Sequence, residues 1–485
     1  MPHCLLLCSL FLITSADAPK PDAAKALAVV VKGFNDGDDP KELHALLAKD
    51  FQKELPLPAL RAVLQKVWRH YGKIVGEPAS IRAEGKRFAF RAQGEKYAFV
   101  IRLVLDDEGR IAGLRFMPTF LDDLPTSSIS LAELQRRLGQ AVEQVLLEHH
   151  IPSISLALVK DDQIIWAKAF GYQNLAKSVP ADVETVYVTG SIFKVVIATA
   201  VMQLIDEGKA DLDAPVNKYL KEFQIPSEFE KETPLTLRHL LSHRGGVPNG
   251  AGTVPLWKRR LPTPLDELVR KQVKVKTKPG EKFLYSNVGF AFNGYLVGLL
   301  SDSSFESALQ KRLFEPLAMT HTAFEPTPAM CENLALPYEI AANGQHAVPR
   351  DRVRFDVYPA GDVYSTPTDM AQFCIMHLNG GKYKGKQILS EKSIAEMARL
   401  QFAKKDAKTG MGLGWGINVS GDKHLLEHGG AVPGFHTEIT LERKKRLGVV
   451  LFCNKFDVVP ASLGLTIDPL PELDRLALAL LEKLQ

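Results

Sequence analysis

The run Val195–Ile205 is apolar except at Thr199 and Gln203. At about 3.6 residues per turn it leaves no polar face, so as a helix it must be enclosed by other structure on nearly every side. Enclosing it takes a sizeable domain, and the chain has 485 residues, enough for two or three domains of ordinary size. Apolar residues make up 46% and charged residues 24%, the balance of a soluble globular protein. A disordered, collagen-like or many-span membrane chain is excluded. The formal charge is +4, from 60 Lys and Arg against 56 Asp and Glu. So small an excess leaves no electrostatic footprint for nucleic acid, and no nucleic-acid partner is expected.

The cysteines are Cys4, Cys8, Cys331, Cys374 and Cys453. Their spacing matches neither a zinc site nor a disulfide framework. Cys374 and Cys453 lie in apolar runs and read as buried packing residues. Leu5–Ile13 is a short apolar run followed by Ala16-Asp17-Ala18, the layout of a cleaved secretory leader over residues 1–18, cut after Ala16 or Ala18. It falls well short of the ~20 residues of a membrane span, so no integral span is expected once it is removed.

Residues 22–35 and 40–71 carry helical periodicity, and Pro56 with Pro58 divides the second stretch, giving three helices. From Lys73 the period changes to two, through Phe88-Ala89-Phe90, Tyr97–Leu105 and Ile111–Phe116, with Asp106-Asp107-Glu108-Gly109 as a turn. Residues 22–118 therefore read as a small α+β unit. It resembles the cystatin-like cone of the nuclear-transport-factor superfamily, an accessory domain often found beside bacterial hydrolases. Residues 119–130 read as a linker. In the larger unit, 131–485, a helix at 131–148 precedes a hairpin turning at Asp161-Asp162. Strands are predicted again at Gly412–Val419, Phe435–Leu441 and Leu447–Phe452, before a final helix from Pro471 to about Leu484. The expected fold is α+β: a small three-helix and antiparallel-sheet cone, then a domain whose antiparallel sheet is built from both chain ends around a large helical middle.

The chemistry is expected where the apolar helix begins. In Thr189-Gly190-Ser191-Ile192-Phe193-Lys194 the first two residues read as a helix start. Ser191 and Lys194, three apart, share a face of its first turn. A serine there aims its oxygen and its own N–H into the same space. A lysine at the mouth of a buried helix loses hydration, which favours the neutral amine a serine nucleophile needs as its base. Alone, the pair also fits a helix cap with a surface lysine, and about two chance S-x-x-K matches are expected in this length. Ser420-Gly421-Asp422-Lys423 is such a match, set in a turn with no helix to present it.

Two further elements follow in order. Tyr285-Ser286-Asn287, ahead of an apolar helical stretch, supplies a phenol to relay a proton and an amide to hold a carbonyl. Tyr172-Gln173-Asn174 is its decoy. His428-Gly429-Gly430-Ala431 leads into a strand. There the glycines admit substrate to the strand edge, and the Ala431 N–H is a second oxyanion donor beside that of Ser191.

Ser-x-x-Lys, Tyr-x-Asn and His-Gly-Gly in this order resemble the serine β-lactamase and penicillin-binding-protein superfamily, in particular its class C branch of esterases and D-stereospecific peptidases. Leu235–His243, Pro359–Ser365 and Gly412–Trp415 fit the same resemblance. It implies a β-lactamase-like fold over 131–485, with Ser191 acylated, Lys194 and Tyr285 as proton partners, and His428 in the third-motif position. Asn287, Gly429 and Gly430 would bind substrate, and the Ser191 and Ala431 N–H groups would form the oxyanion hole. No metal or organic cofactor is implied. With the leader, it implies an exported protein of bacterial type, periplasmic or extracellular.

His428-Gly429 replaces the family's more usual Lys-Thr-Gly. The literal Lys408-Thr409-Gly410 follows a charged segment and no strand, and reads as a decoy. A neutral imidazole in place of a permanent cation weakens the grip on a substrate carboxylate. Ester or amide substrates, D-amino-acid peptides among them, are therefore expected ahead of β-lactams and DD-peptides. The remaining alternative is a penicillin-recognising or scaffolding module that acylates without turnover. His239 and His243 lack the glutamate of H-E-x-x-H and read as structural, and Asp362 reads as a loop hydrogen-bonder.

Overall fold

A computed structural model describes residues 21–36, 39–119, 124–250, 253–255, 264–340, 347–456 and 469–485. The leader at 1–18 lies outside the described residues, as does part of the linker, 120–123. The chain divides into two compact units, one comprising Ile151–Glu339 with Ala347–Phe456, the other its amino- and carboxy-terminal segments.

The terminal unit begins with α1 (Pro21–Asp36), α2 (Lys41–Leu46), α3 (Lys49–Glu54) and α4 (Leu57–Tyr71). There are four helices where the periodicity predicts three. The extra break has a tertiary cause. Leu47 and Ala48 are extended, and the Ala48 N–H donates to the Ile111 carbonyl at 2.8 Å, so the sheet takes a backbone bond the helix would need. β1 (Ala79–Glu84), β2 (Arg87–Gln93), β3 (Ala98–Leu105) and β4 (Ile111–Pro118) form an antiparallel meander in that order. Its inner face meets the helices through aromatic rings, with Tyr71 stacked on Phe99 at 4.3 Å and Phe34 at 5.6 Å from Phe99. The helix Leu131–Glu148, read from sequence as the start of the larger domain, groups with this unit. It packs on the final helix, Leu470–Leu481, and the Ile129 N–H donates to the Lys483 carbonyl at 2.9 Å.

The larger unit is organised by an eight-stranded antiparallel sheet. Its order is Thr409–Met411, Gly416–Ser420, Lys423–Val432, Phe435–Glu442, Leu447–Cys453, Ser153–Lys160, Gln163–Asn174 and Val179–Pro180. The join between chain ends is central: Leu447 pairs with Lys160 and Cys453 with Ile154. Every residue of Leu447–Cys453 is buried, which is why that strand reads as unbroken apolar sequence. Of the predicted strand Gly412–Val419, only the part from Gly416 is strand; residues 412–415 form the turn that joins it to Thr409–Met411. Gly414 adopts φ +80°, a Cβ there would lie 2.8 Å from the Ala198 Cβ, and its N–H donates to the Leu241 carbonyl at 2.9 Å.

The apolar helix spans Phe193–Asp206, with every side chain from Phe193 to Leu204 buried. Of its two polar interruptions, the Thr199 hydroxyl and the Gln203 amide nitrogen find partners, while the buried Gln203 Oε1 has none among the described residues. Thr199 Oγ1 donates to the Val195 carbonyl at 2.8 Å and lies 3.0 Å from His377 Nε2. Gln203 Nε2 donates to the carbonyls of Arg312 and Ile388 at 3.2 and 2.8 Å.

Candidate active site

Ser191 does not stand on the first α-helical turn. It occupies a short 3₁₀ turn, Gly190–Ile192, that feeds the helix. Thr189, read as part of a helix-start signal, makes no capping bond. Its hydroxyl donates to the Val363 carbonyl at 3.1 Å, and its carbonyl accepts from Thr437 Oγ1 at 2.6 Å. The turn is thus pinned between the Pro359–Ser365 segment and the sheet.

Three glycines make this junction possible. A Cβ on Gly430 would lie 2.4 Å from the Thr189 carbonyl oxygen and 2.9 Å from the Ser191 nitrogen. One on Gly190, at φ +57°, would lie 2.8 Å from the Ala431 nitrogen, and one on Gly361 would lie 2.6 Å from the Gly190 carbonyl oxygen. Backbone therefore meets backbone, and Ser191 and Ala431 line the same cleft.

Lys194 is fully buried. Its Nζ donates to Ser191 Oγ at 2.9 Å and to the Ala360 carbonyl at 2.7 Å. Both partners are uncharged, so nothing offsets the lost hydration, and burial drives the ammonium pKa well below its ordinary range. The amine sits 5.1 Å from the centre of the Tyr285 ring and 5.9 Å from that of Phe290. Burial raises the Tyr285 phenol, while its hydrogen bond with Ser191 pulls it partly back.

Asn287 opens the helix Asn287–Leu300 behind the Ser286 N-cap, whose hydroxyl accepts from the Gly289 N–H at 2.8 Å. Its own N–H donates to Asn249 Oδ1 at 3.1 Å. His428 lies on the strand Lys423–Val432. Burial lowers its pKa to about 4, with the nearby Lys194 acting in the same direction and a backbone bond to Gly429 opposing. Nδ1 is 2.8 Å from the Gly429 carbonyl oxygen. Gly429 is exposed, and a Cβ there would meet Glu438 at 3.0 Å.

Ser191, Asn287 and Ala431 open onto a cleft whose apolar wall includes Phe355, Val357 and Val432. That wall was not foreseen from sequence. Asp362 holds it from behind, accepting from the Phe355 N–H at 3.1 Å and pairing with Arg354 at 3.1 Å.

The decoys lie elsewhere. Ser420 and Lys423 pair across a hairpin turn. Tyr172 is exposed on the strand Gln163–Asn174. Thr409-Gly410, expected outside any strand, begins the sheet's edge strand, separated from the His428 strand by Gly416–Ser420. His239 stacks on Phe402 at 5.0 Å. His243 lies against Tyr285, its ring centre 4.2 Å away. Among the described residues no three His, Cys, Asp or Glu side chains could together hold a metal ion, and no described helix is long and apolar enough to cross a membrane.

A family model described as beta-lactamase matches residues 134–465. Protein flp of Staphylococcus aureus strain N315 is 26% identical over 323 residues, 66% of this chain and 63% of that protein. The chain thus spans less than two thirds of that relative's length. Penicillin-binding protein 4 of Amycolatopsis lactamdurans is 31% identical over 274 residues, 56% of this chain and 71% of that protein. Among solved structures, the D-amino acid amidase of Ochrobactrum anthropi SV3 with D-phenylalanine has TM-score 0.56 at 23% identity, covering 71% of this chain and 98% of that one. EstCE1, a hydrolase with promiscuous acyltransferase activity, has TM-score 0.57 at 19% identity, covering 72% and 98%.

Proposed function

Because the chain belongs to the beta-lactamase family, we propose that it is a serine hydrolase working through an acyl-enzyme on ester or amide substrates. Ser191 Oγ attacks the acyl carbonyl as its proton passes to Lys194. The carbonyl oxygen, now negative, takes hydrogen bonds from the Ser191 and Ala431 N–H groups. Tyr285 relays the proton to the departing alcohol or amine, and Asn287 orients the acyl part. Water then attacks the ester on Ser191, releases the acid and restores the hydroxyl.

The observation that carries this reading is the Lys194 amine. It is buried, bonded only to neutral oxygens, and 2.9 Å from the Ser191 hydroxyl. An amine pushed toward its neutral form is the base a serine nucleophile requires. The substrate preference rests on His428. With its pKa near 4 it is uncharged at neutral pH and offers no cation to a carboxylate. Similarity to the D-amino acid amidase supports amide substrates, and similarity to EstCE1, a hydrolase with promiscuous acyltransferase activity, supports acyl transfer. The 31% identity to a penicillin-binding protein favours a second reading, β-lactam or acyl-D-alanyl substrates.

One experiment separates them. Wild type should be labelled by a fluorophosphonate and Ser191→Ala should not; label retained by the variant places the nucleophile elsewhere. p-Nitrophenyl butyrate should be cleaved faster than a chromogenic cephalosporin, and the reverse ranking makes the second reading the leading one. Intact mass after each substrate shows whether an acyl group persists.

A further inference from the structure

His243 brackets the loop that carries Tyr285. Its carbonyl accepts the Leu284 N–H at 2.7 Å, and its Nδ1 accepts the Ser286 N–H at 3.1 Å. Between these two bonds its ring stacks on that of Tyr285, 4.2 Å between centres and tilted 30°. Phe283 and Phe290 close around the same imidazole at 5.8 and 5.0 Å. The residue is 1% exposed. Its backbone is left-handed, φ +58°, a conformation that costs most side chains energy and that Asn, Asp and His tolerate best. That backbone brings a carbonyl and a ring of one residue to bear on three consecutive positions of another segment.

We infer that His243 is a positioning residue that holds the Tyr285 phenol in register with Ser191 and Lys194. The inference rests on the serine-hydrolase reading above. Ser191 must lose its proton to the Lys194 side and the leaving group must gain one from Tyr285, so the phenol has to stay within hydrogen-bond reach of both. A displacement of about 1 Å there costs on the order of 100-fold in rate.

Histidine suits the task for a reason phenylalanine does not share. With Nδ1 accepting from Ser286, the neutral ring carries its proton on Nε2. Burial, with Lys194 and His428 nearby, keeps the ring neutral. It therefore combines an acceptor for a buried N–H, a flat face for the phenol and no charge to compete with the Lys194 amine. His243 is not among the cleft-lining residues, so its effect should fall on the chemical step.

The test is p-nitrophenyl butyrate kinetics on the full chain, with rates referred to the fraction of Ser191 titrated by fluorophosphonate. His243→Ala should lower kcat on the order of 10–100-fold with KM unchanged within about twofold. His243→Asn restores an acceptor near the Nδ1 position and tolerates the left-handed backbone, and should recover most of the loss. His243→Phe keeps the ring but leaves the Ser286 N–H unpaired, and should not. A folded Ala variant with wild-type kcat per titrated site overturns the inference, as does equal activity of the Asn and Phe variants, and that comparison decides if the Ala variant does not fold. Failure of the label to react with wild-type Ser191 would remove the hydrolase reading and this inference with it. Normal labelling with unaltered variants removes this inference alone.

Discussion

At the scale of single residues, the decisive fact is that the Lys194 amine is buried with no carboxylate beside it among the described residues. Lys194 is legible as a candidate base because Ser-x-x-Lys precedes an apolar run, and burial at the mouth of that run disfavours charge. What the spacing does not contain is the Ala360 carbonyl 166 positions away, which takes the second Nζ bond. The folded pKa lies well below the ordinary 10.5, so the neutral, active form is lost only as pH falls through that lowered value. The kcat/KM profile for an ester should therefore have an acid limb, with activity rising as pH rises. It should stay flat through about pH 9, because the Tyr285 phenol is held above its ordinary 10. Lys194→Met should abolish the limb and lower acylation by about 10²–10⁴. An acid limb that survived in this variant would assign the base to another group. His243 shows the opposite case, since no local pattern marks a histidine whose ring and carbonyl both serve a segment some forty residues on.

At the scale of elements, the site depends on how closely a strand approaches a turn. The Lys423–Val432 strand meets the Gly190–Ile192 turn through Gly430. The two glycines after His428 are visible in sequence as room for a ligand, but Gly430 makes room for backbone. A Cβ there would lie 2.3 Å from Thr437 Oγ1 and 2.4 Å from the Thr189 carbonyl oxygen, and the second of these atoms has no rotamer to move into. Gly430→Ala should thus push the strand off the turn and separate the Ser191 and Ala431 N–H groups. Fluorophosphonate labelling should slow by about 100-fold or more, the cost of one lost oxyanion donor. Overpacking should take about 1–3 kcal/mol of stability, read in urea unfolding; labelling at the wild-type rate would contradict the arrangement. The 3₁₀ turn and the turn at residues 412–415, where the sequence predicts a strand, share this cause. Local propensity describes each segment alone, while the close contacts of Gly190, Gly414 and Gly430 with other segments are set by packing.

For the molecule as a whole, folding carries several imidazoles into low-dielectric surroundings. Burial lowers His239 and His428 to about 4, His377 to about 3, and His243 well below its ordinary 6.5. In the unfolded chain these groups take up protons near pH 6.5, whereas in the folded chain they stay neutral to a lower pH. The unfolded state therefore binds more protons as pH falls from 6.5 toward 4, and stability falls with it. Raised carboxyls such as Asp362 and Asp369 act in the opposite sense. With His424 lowered as well, five described imidazoles are depressed, and the net slope should still follow the histidines. Tm should drop steadily between pH 7 and 4.5, and His377→Gln, which cannot titrate, should make the drop shallower. A Tm independent of pH over that range would show that these histidines are hydrated.

The sequence alone determined the order of the chemical elements, because helix amphipathicity, strand alternation and the Ser-x-x-Lys, Tyr-x-Asn and His-Gly-Gly patterns are all short-range. It also determined that the sheet must close across distant segments, since apolar runs such as Leu447–Cys453 have to be covered on both faces. Tertiary structure alone decided which carbonyl the amine bonds, which histidine braces the phenol and which apolar side chains line the cleft. Those are contacts between segments tens to hundreds of residues apart, and they are selected by shape and by the need to satisfy buried polar groups once the chain has packed.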